Sequence, residues 1–374
     1  MRKFFILAGF AESLVGFRLP LISELQNQGF DVHVAAPGLQ LNSDIRRRLE
    51  HLGLTVHDVS MGRRSKNPLL DVKTLVSIFF LLKNVRPDFF LGYTIKPVIY
   101  GSIAAWLLNV PCRIALITGL GKAFSLSQNP GALERLVQGL YTFALAKVSL
   151  TFFQNPDDEQ LFRQRKILSD YSASQVVNGS GVEIDRFHVS PMPKETTFLL
   201  IARLIDGKGV RFFAEAARIV RASHPAVKFL LVGWIDDGSD AISQPELDSW
   251  ISAGYIQFLG KLSDVRPAIA MSSVFVLPSF YREGTPRTIL EALAMGRPII
   301  TTNTPGCRET VLSGQNGFLV APQSTTSLVE AMLKFIVSPE IIEPMGRISR
   351  SLAENKYDVK KVNAAMLSAI TAIS

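Results

Sequence analysis

Two glutamates, Glu283 and Glu291, stand on either side of a Gly-Thr-Pro turn and an arginine, Arg287, in the stretch REGTPRTILEALAMGRPII (282–300). Carboxylates accept paired hydrogen bonds from vicinal hydroxyls, so two of them in one stretch suit the polyol groups of sugars. Upstream, LLIARLIDGKGV carries Arg203 at the end of a strand-like run and Lys208 within a glycine-flanked turn. Such a guanidinium and ammonium can clamp a diphosphate, and the glycines let the backbone approach it. Diphosphate plus polyol is the chemistry of a nucleotide sugar. Each feature alone also fits a plainer role, as two solvated loop cations or as an i,i+4 Arg/Glu pair on a solvated helix face. One detail resists the second reading. An arginine in the first turn faces the positive end of the helix dipole, and Arg before Glu is the poorer orientation of such a pair. That placement makes sense with an anion at the helix start.

Helices and strands must position these groups. Thr285 reads as an N-cap, Pro286 as the first helical residue, Ile289, Leu290 and Leu293 as an apolar stripe and Gly296 as the stop. This puts Arg287, Thr288 and Glu291 on the open flank. Strand-like runs alternate with helical patterns along the chain: KFFILAG, DVHVAAP, LTVHDVS, DFFLGYT, RIALITG and LTFFQN, then TFLLIARL, KFLLVG, YIQFLG, VFVLPS, PIITTN and GFLVAP. That alternation is the signature of βαβ units on parallel sheets. At 374 residues the chain exceeds what one core usually serves, so two doubly wound domains are expected, with the segment 191–194 (PMPK) as linker. In such sheets ligands gather beyond the carboxyl ends of strands. Two further places qualify: TTNTPGCRETV, with Gly306 and Glu309, and LAGFAESLVGFRLPLI, with Gly9, Gly16 and Arg18. The latter is neither a dinucleotide fingerprint nor a Walker loop.

With 47% hydrophobic and 19% charged residues, the chain is globular. Its two cysteines, Cys112 and Cys307, read as buried thiols in a reduced cytoplasmic compartment. The five histidines show no metal-ligand spacing, and WIDDGSD reads as a turn. The apolar segments LVSIFFLLK and PVIYGSIAAWLLNVP fall short of a membrane span. The net charge is +8, and six of those eight charges fall in residues 1–190, which hold 21 basic and 15 acidic residues, Arg46, Arg47, Arg48, Arg63, Arg64 and Lys66 among them. Nucleic acid, an anionic membrane surface and a phosphorylated substrate all fit that surplus; nucleic acid ranks last, because no motif with interleaved aromatics supports it.

REGTPRTILEALAMGRPIITTNTPGCRE strongly resembles the donor-site motif of the retaining glycosyltransferases of family 4, and IARLIDGKGV, LLVG, NGSGVEIDRF and AGFAESLVGFRLPLISELQNQGFDVHVAAP match that family in order. The resemblance implies the GT-B fold: two Rossmann-like domains, 1–190 for the acceptor and 191–356 for the nucleotide sugar, facing a cleft, with a C-terminal helix (357–374) crossing back to the first. It implies that Arg203 and Lys208 hold the donor diphosphate and that Glu291 binds the ribose hydroxyls. Glu283 contacts the transferred sugar, helped by Gly284 and Thr285, with Pro286 and Arg287 in the same donor site. Gly16 approaches the diphosphate. Catalysis then rests on Glu283, Arg203 and Lys208 without a metal or cofactor. Arg18, Lys96 and Lys122 of the basic first domain are the acceptor candidates. Many relatives carry a histidine in the loop that here reads Thr118, Gly119, Leu120 and Gly121, so backbone groups are left to replace it.

The subgroup with TIKPVIYGS, ITGLG and PGCRE resembles bacterial transferases that extend undecaprenyl-diphosphate-linked saccharides. The expectation is therefore retaining transfer of a hexose or N-acetylhexosamine from a UDP-sugar to a lipid-linked saccharide at the inner face of the cell membrane. The LVSIFFLLK region is then either a peripheral docking face or a buried helix. A UDP-sugar 2-epimerase shares the architecture but needs a carboxylate or histidine set for proton abstraction, which the sequence does not display. A non-catalytic nucleotide-sugar sensor is the third reading.

Overall fold

The computed structural model describes residues 1–62, 67–121 and 131–373. The chain divides into two units, Met1–Ser180 with the residues from Lys360 onward, and Gly181–Val359. In the first, β1 (Lys3–Leu7), β2 (Asp31–Ala36), β3 (Thr55–Asp58), β4 (Phe89–Tyr93), β5 (Cys112–Ile117), β6 (Leu150–Phe153) and β7 (Ser174–Val176) form, among the described residues, a seven-stranded parallel sheet in the order 3-2-1-4-5-6-7. Its central strands are apolar runs because both faces are covered. Phe4 and Ile6 face one core with Leu21, Ile22 and Leu25, while Phe5 and Leu7 face another with Ile78 and Leu82.

The second unit carries β8 (Thr197–Leu204), β9 (Lys228–Ile235), β10 (Gln257–Phe258), β11 (Val274–Leu277), β12 (Ile299–Thr302) and β13 (Gly317–Val320), again parallel, in the order 10-9-8-11-12-13. Strand order reverses between β1 and β4 in one sheet and between β8 and β11 in the other. Those reversals are where open α/β sheets leave a crevice at the carboxyl ends.

The passage between units differs from the expected linker at 191–194. It lies at Ser180/Gly181, because residues 181–194 are fastened to the second unit. Val182 and Phe187 are in its core. Arg297, fully buried, donates to the carbonyls of Ser190 (2.8 Å) and Pro191 (3.1 Å) and to Ser190 Oγ (2.7 Å), and Arg350 donates to the Phe187 carbonyl (2.7 Å). The return passage lies at Val359/Lys360 rather than at 356/357. There Val182 bridges Asp358, its N–H donating to the Tyr357 carbonyl (2.8 Å) while its carbonyl accepts from Val359 N–H (3.0 Å). The helix Val359–Ala372 then buries Val362, Met366, Leu367 and Ile370 in the core of the first unit. Both cysteines are buried and unbridged.

His33 on β2 and His57 on β3 stack at 5.2 Å between centroids. Nδ1 of His33 lies 2.9 Å from Nε2 of His57, and Nε2 of His33 lies 3.2 Å from Asp31. Burial pushes His57 down to about 4, with His33 and Arg46 adding to it. Unfolded His57 takes its proton near 6.5 and the folded group near 4, so the unfolded state binds more protons between them and stability falls as pH drops across that window. In urea titrations across it, the wild-type midpoint should fall more steeply than that of His57→Gln; parallel slopes would count against this coupling.

Candidate active site

The site is built from the loops that leave β8, β11 and β12. After β8 the chain makes a single 3-10 turn, Asp206–Lys208, and closes it at Gly209 with φ +73°. A Cβ at Gly209 would lie 2.1 Å from the Pro278 carbonyl oxygen at the end of β11, so only glycine allows this approach. The Gly207 carbonyl accepts the N–H groups of Phe280 (3.0 Å) and Tyr281 (2.9 Å). Ser279 Oγ lies within hydrogen-bond distance of both that carbonyl (3.1 Å) and Glu283 Oε1 (3.0 Å). The two loops are thus joined backbone to backbone, and the join brings Lys208 Nζ onto the Glu283 carboxylate, both side chains mostly buried.

From β12, Thr302 and Thr304 donate their hydroxyls to the Ser279 carbonyl, Thr304 at 3.2 Å. Gly306, with φ +81°, passes so close that a Cβ would stand 2.1 Å from the Gly284 carbonyl and 2.7 Å from that of Glu283. This glycine admits the backbone that carries Glu283.

The helix begins later than its sequence suggests, spanning Arg287–Ala294, with Pro286 rather than Thr285 at the N-cap (φ −64°, ψ 115°) and Thr285 buried beside it. Nor is the flank open. Glu291 is buried, and its carboxylate accepts from Arg287 Nε at 2.9 Å. Arg287 also lies 3.8 Å from Glu183, so the anion near the first turn in this structure comes from the chain itself. Burial raises the proton affinity of Glu291, with the Arg287 guanidinium opposing it.

The sequence-derived residues separate accordingly. Arg203 sits at the end of β8 and donates to Asp236 at 2.6 Å; Lys208, Glu283, Gly284 and Thr285 gather around the β8/β11 reversal, and Arg287 and Glu291 follow on the helix. In the first unit, Gly16 lies in the turn Leu14–Arg18 with open space where a Cβ would stand. Arg18, expected to meet an acceptor, is buried with its guanidinium 5.0 Å from the Tyr93 ring centroid. Lys96 is held by Asp71 at 2.6 Å. Lys122 lies outside the described residues, as do Arg63, Arg64 and Lys66. Asp236, Ser279 and Glu183 were missed. Asp236 stood in a stretch read only as a turn, and Ser279 and Glu183 carry no local signal, since their partners are set by loop approach. Among the described residues no cluster of His, Cys, Asp and Glu is arranged to hold a metal.

Breaking a buried pair by removing one partner costs about 3 kcal/mol or more, because the remaining charge is uncompensated. Arg287→Met should destabilise the fold on that scale in denaturant titrations. The loss should shrink as pH falls and folded Glu291 takes up a proton, since a raised carboxyl pKa makes the folded state the better proton binder. Adding Glu291→Gln should recover most of it; a double variant no more stable than Arg287→Met would refute the pairing.

The family described as glycosyl transferase 4-like matches residues 6–155, and that described as glycosyl transferases group 1 matches residues 195–337. The chain is 28% identical over 334 residues to an N,N'-diacetylbacillosaminyl-diphospho-undecaprenol α-1,3-N-acetylgalactosaminyltransferase of Campylobacter jejuni, covering 85% of both chains. It is 25% identical over 312 residues to a UDP-Gal:α-D-GlcNAc-diphosphoundecaprenol α-1,3-galactosyltransferase of Escherichia coli, covering 80% of this chain and 79% of the relative. Among solved structures, Anabaena HepE in complex with UDP superposes with a TM-score of 0.78 at 19% identity, covering 100% of both chains. Sucrose-phosphate synthase from Thermosynechococcus elongatus does so with a TM-score of 0.80 at 16% identity, covering 100% of this chain and 99% of that one. With a 4-like region in its first unit, a group 1 region in its second and two Rossmann-like sheets of GT-B type, the chain belongs to the family 4 glycosyltransferases.

Proposed function

We propose that the protein transfers a hexose or N-acetylhexosamine from a UDP-sugar, with retention, to a lipid-linked saccharide in the assembly of a surface polysaccharide. The observation that carries this reading is the Lys208–Glu283 pair at the β8/β11 reversal, an ammonium and a carboxylate held together where a nucleotide ligand is received in such sheets. A donor diphosphate competes with Glu283 for Lys208 and with Asp236 for Arg203. Glu283 is then released to accept hydrogen bonds from the sugar, and Glu291 from the ribose. The C. jejuni and E. coli relatives are named for diphospho-undecaprenol acceptors, and HepE was solved with UDP, which favours this donor and acceptor class here.

In the transfer the acceptor hydroxyl oxygen bonds to the anomeric carbon on the face from which UDP departs. The C1–O bond to the β-phosphate breaks with its electron pair on the phosphate oxygen, and that oxygen takes the acceptor proton. Fixed cations stabilise the departing charge, so the reaction is proposed to run without a metal.

Glu283→Ala should lower transfer by roughly a hundredfold or more; because it strips Lys208 of its partner it should also lower the melting temperature, so transfer is measured well below that variant's midpoint. Radiolabelled UDP-sugars, with and without a membrane lipid extract, distinguish the alternatives. Label in lipid supports transfer, a changed free sugar nucleotide indicates an epimerase, and retention on the protein alone indicates a sensor. Wild-type turnover in Glu283→Ala would sink the residue assignment.

A further inference from the structure

Helix Pro68–Val85 of the first unit has no ordinary polar face. Thr74, Ile78, Leu82 and Val85 point into the core, and the opposite side carries Leu69, Val72, Val76 and Phe80, spaced by three and four residues. These are surface side chains, Leu69 being 77% and Phe80 56% exposed. A helix apolar all round is normally enclosed, so an outer helix of this kind presents an unpartnered apolar strip. Lys73 and Lys83 are exposed on the same side. The helix has one acidic residue, Asp71, and it is turned to Lys96 at 2.6 Å.

The strip does not stand alone. Helix Pro68–Val85 packs beside Ser102–Leu107, which packs beside Ala132–Leu145 on the same face of the sheet. The last of these exposes Leu136 and Phe143, and its one acidic residue, Glu134, is bound to Arg165 at 3.0 Å. Three adjacent helices therefore offer a broad surface of large apolar side chains with lysines among them and both helical carboxylates engaged elsewhere.

We propose that this outer face of the first unit docks on an anionic lipid bilayer surface, with Leu69, Val72, Val76 and Phe80 entering the boundary between headgroups and acyl chains and Lys73 and Lys83 meeting the phosphates. Charge selects this occupant. Interfacial helices combine an apolar face with lysines that reach anionic headgroups, and no negative group on these two helices repels such a surface. A two-fold pairing of two copies through the same face would bring the lysines of both into one interface without an acidic partner from either helix. The lipid is here a surface, not the substrate, so the inference stands apart from the transfer reaction and its test needs neither donor nor acceptor.

The full chain is mixed with vesicles of phosphatidylcholine alone, or of phosphatidylcholine and phosphatidylglycerol at two parts to one, and bound protein is measured by flotation. Wild type should bind the anionic vesicles and release with added salt. The double variant Val76→Ser/Phe80→Ser should lose at least about tenfold in partition coefficient. Lys73→Glu/Lys83→Glu should lose the preference for phosphatidylglycerol. Ile219→Ser, an exposed apolar position in the second unit, should bind as wild type. Because every substituted side chain is exposed, unchanged melting curves separate docking from folding. Wild type that floats with neither vesicle, or Val76→Ser/Phe80→Ser that floats as wild type does, would overturn the proposal. So would a wild-type dimer that those substitutions dissociate, without vesicle binding.

Discussion

Backbone-to-backbone approach at the reversal of strand order in the second sheet is the constraint on which the geometry of the candidate site depends. Loops from β8, β11 and β12 converge there, and two glycines with positive φ, Gly209 and Gly306, let each loop touch the carbonyls of the next. The Gly207 carbonyl receives two N–H groups from the β11 loop, and the Ser279 carbonyl receives two threonine hydroxyls from beyond β12. Side chains on these loops inherit their positions. Lys208 meets Glu283 across 75 residues of sequence because the backbones beneath them are already joined. The backbone beneath these charges is fixed, so exchange of partners is left to the side chains alone.

Two buried ionic groups of the same unit show how differently such charge is used. Arg297 is enclosed by carbonyl oxygens of Ile269, Ala270, Ser190, Pro191 and Met295, and burial pushes it down to about 10. Its donors are spent on the fold, and it ties the segment entering the unit to the helix Arg266–Ala270 and to the turn that ends the helix of the site. Glu291 is also buried, but the bond its carboxylate accepts from Arg287 one turn earlier does not offset that burial, and its proton affinity is raised. A carboxylate in that state gains from further donors, and paired hydroxyls supply them. The first group is saturated and structural; the second fits the hydroxyl-binding role proposed for it.

Both sheets were legible because parallel strands covered on two faces must be apolar throughout, and runs such as TFLLIARL and VFVLPS admit little else. β7 escaped for the same reason. Its residues, Ser-Gln-Val, pair only with β6 at an edge of the sheet and carry no apolar run. The candidate residues of the proposed donor site could be named because their types and turns lie within short stretches of sequence. Their partners could not. Asp236 lies 33 residues from Arg203, and nothing local in Trp-Ile-Asp-Asp distinguishes an ion-pair acceptor from a turn residue. The passage between units misled for a related reason: two prolines near position 192 look like a linker, yet a buried arginine more than 100 residues later holds that segment.

Net charge was the least transferable signal. Many cations of the first unit are paired locally, so a net charge does not mark where a ligand sits: Arg46 faces Glu50, Arg47 faces Asp44, Arg163 faces Glu159, and Lys96 faces Asp71. At its own strand reversal, between β1 and β4, the groups are of another kind. Thr94 follows β4 with φ +70°, a strained conformation for a β-branched residue. Gly9 makes room for it, since a Cβ there would lie 2.3 Å from the Thr94 hydroxyl. Ser13 and Tyr93 share a buried 2.8 Å hydrogen bond beside Arg18, whose guanidinium is withdrawn onto the tyrosine ring. This crevice is made of hydroxyls, backbone and glycine, with its nearest cations drawn inward. Such a composition suits the hydroxyls of a saccharide better than a phosphate, whereas the switch point of the second unit, with Arg203 and Lys208, suits the phosphate. The two sheets share a topology, and in the proposed transfer the departing phosphate belongs to the second reversal and the sugar hydroxyls of the acceptor to the first.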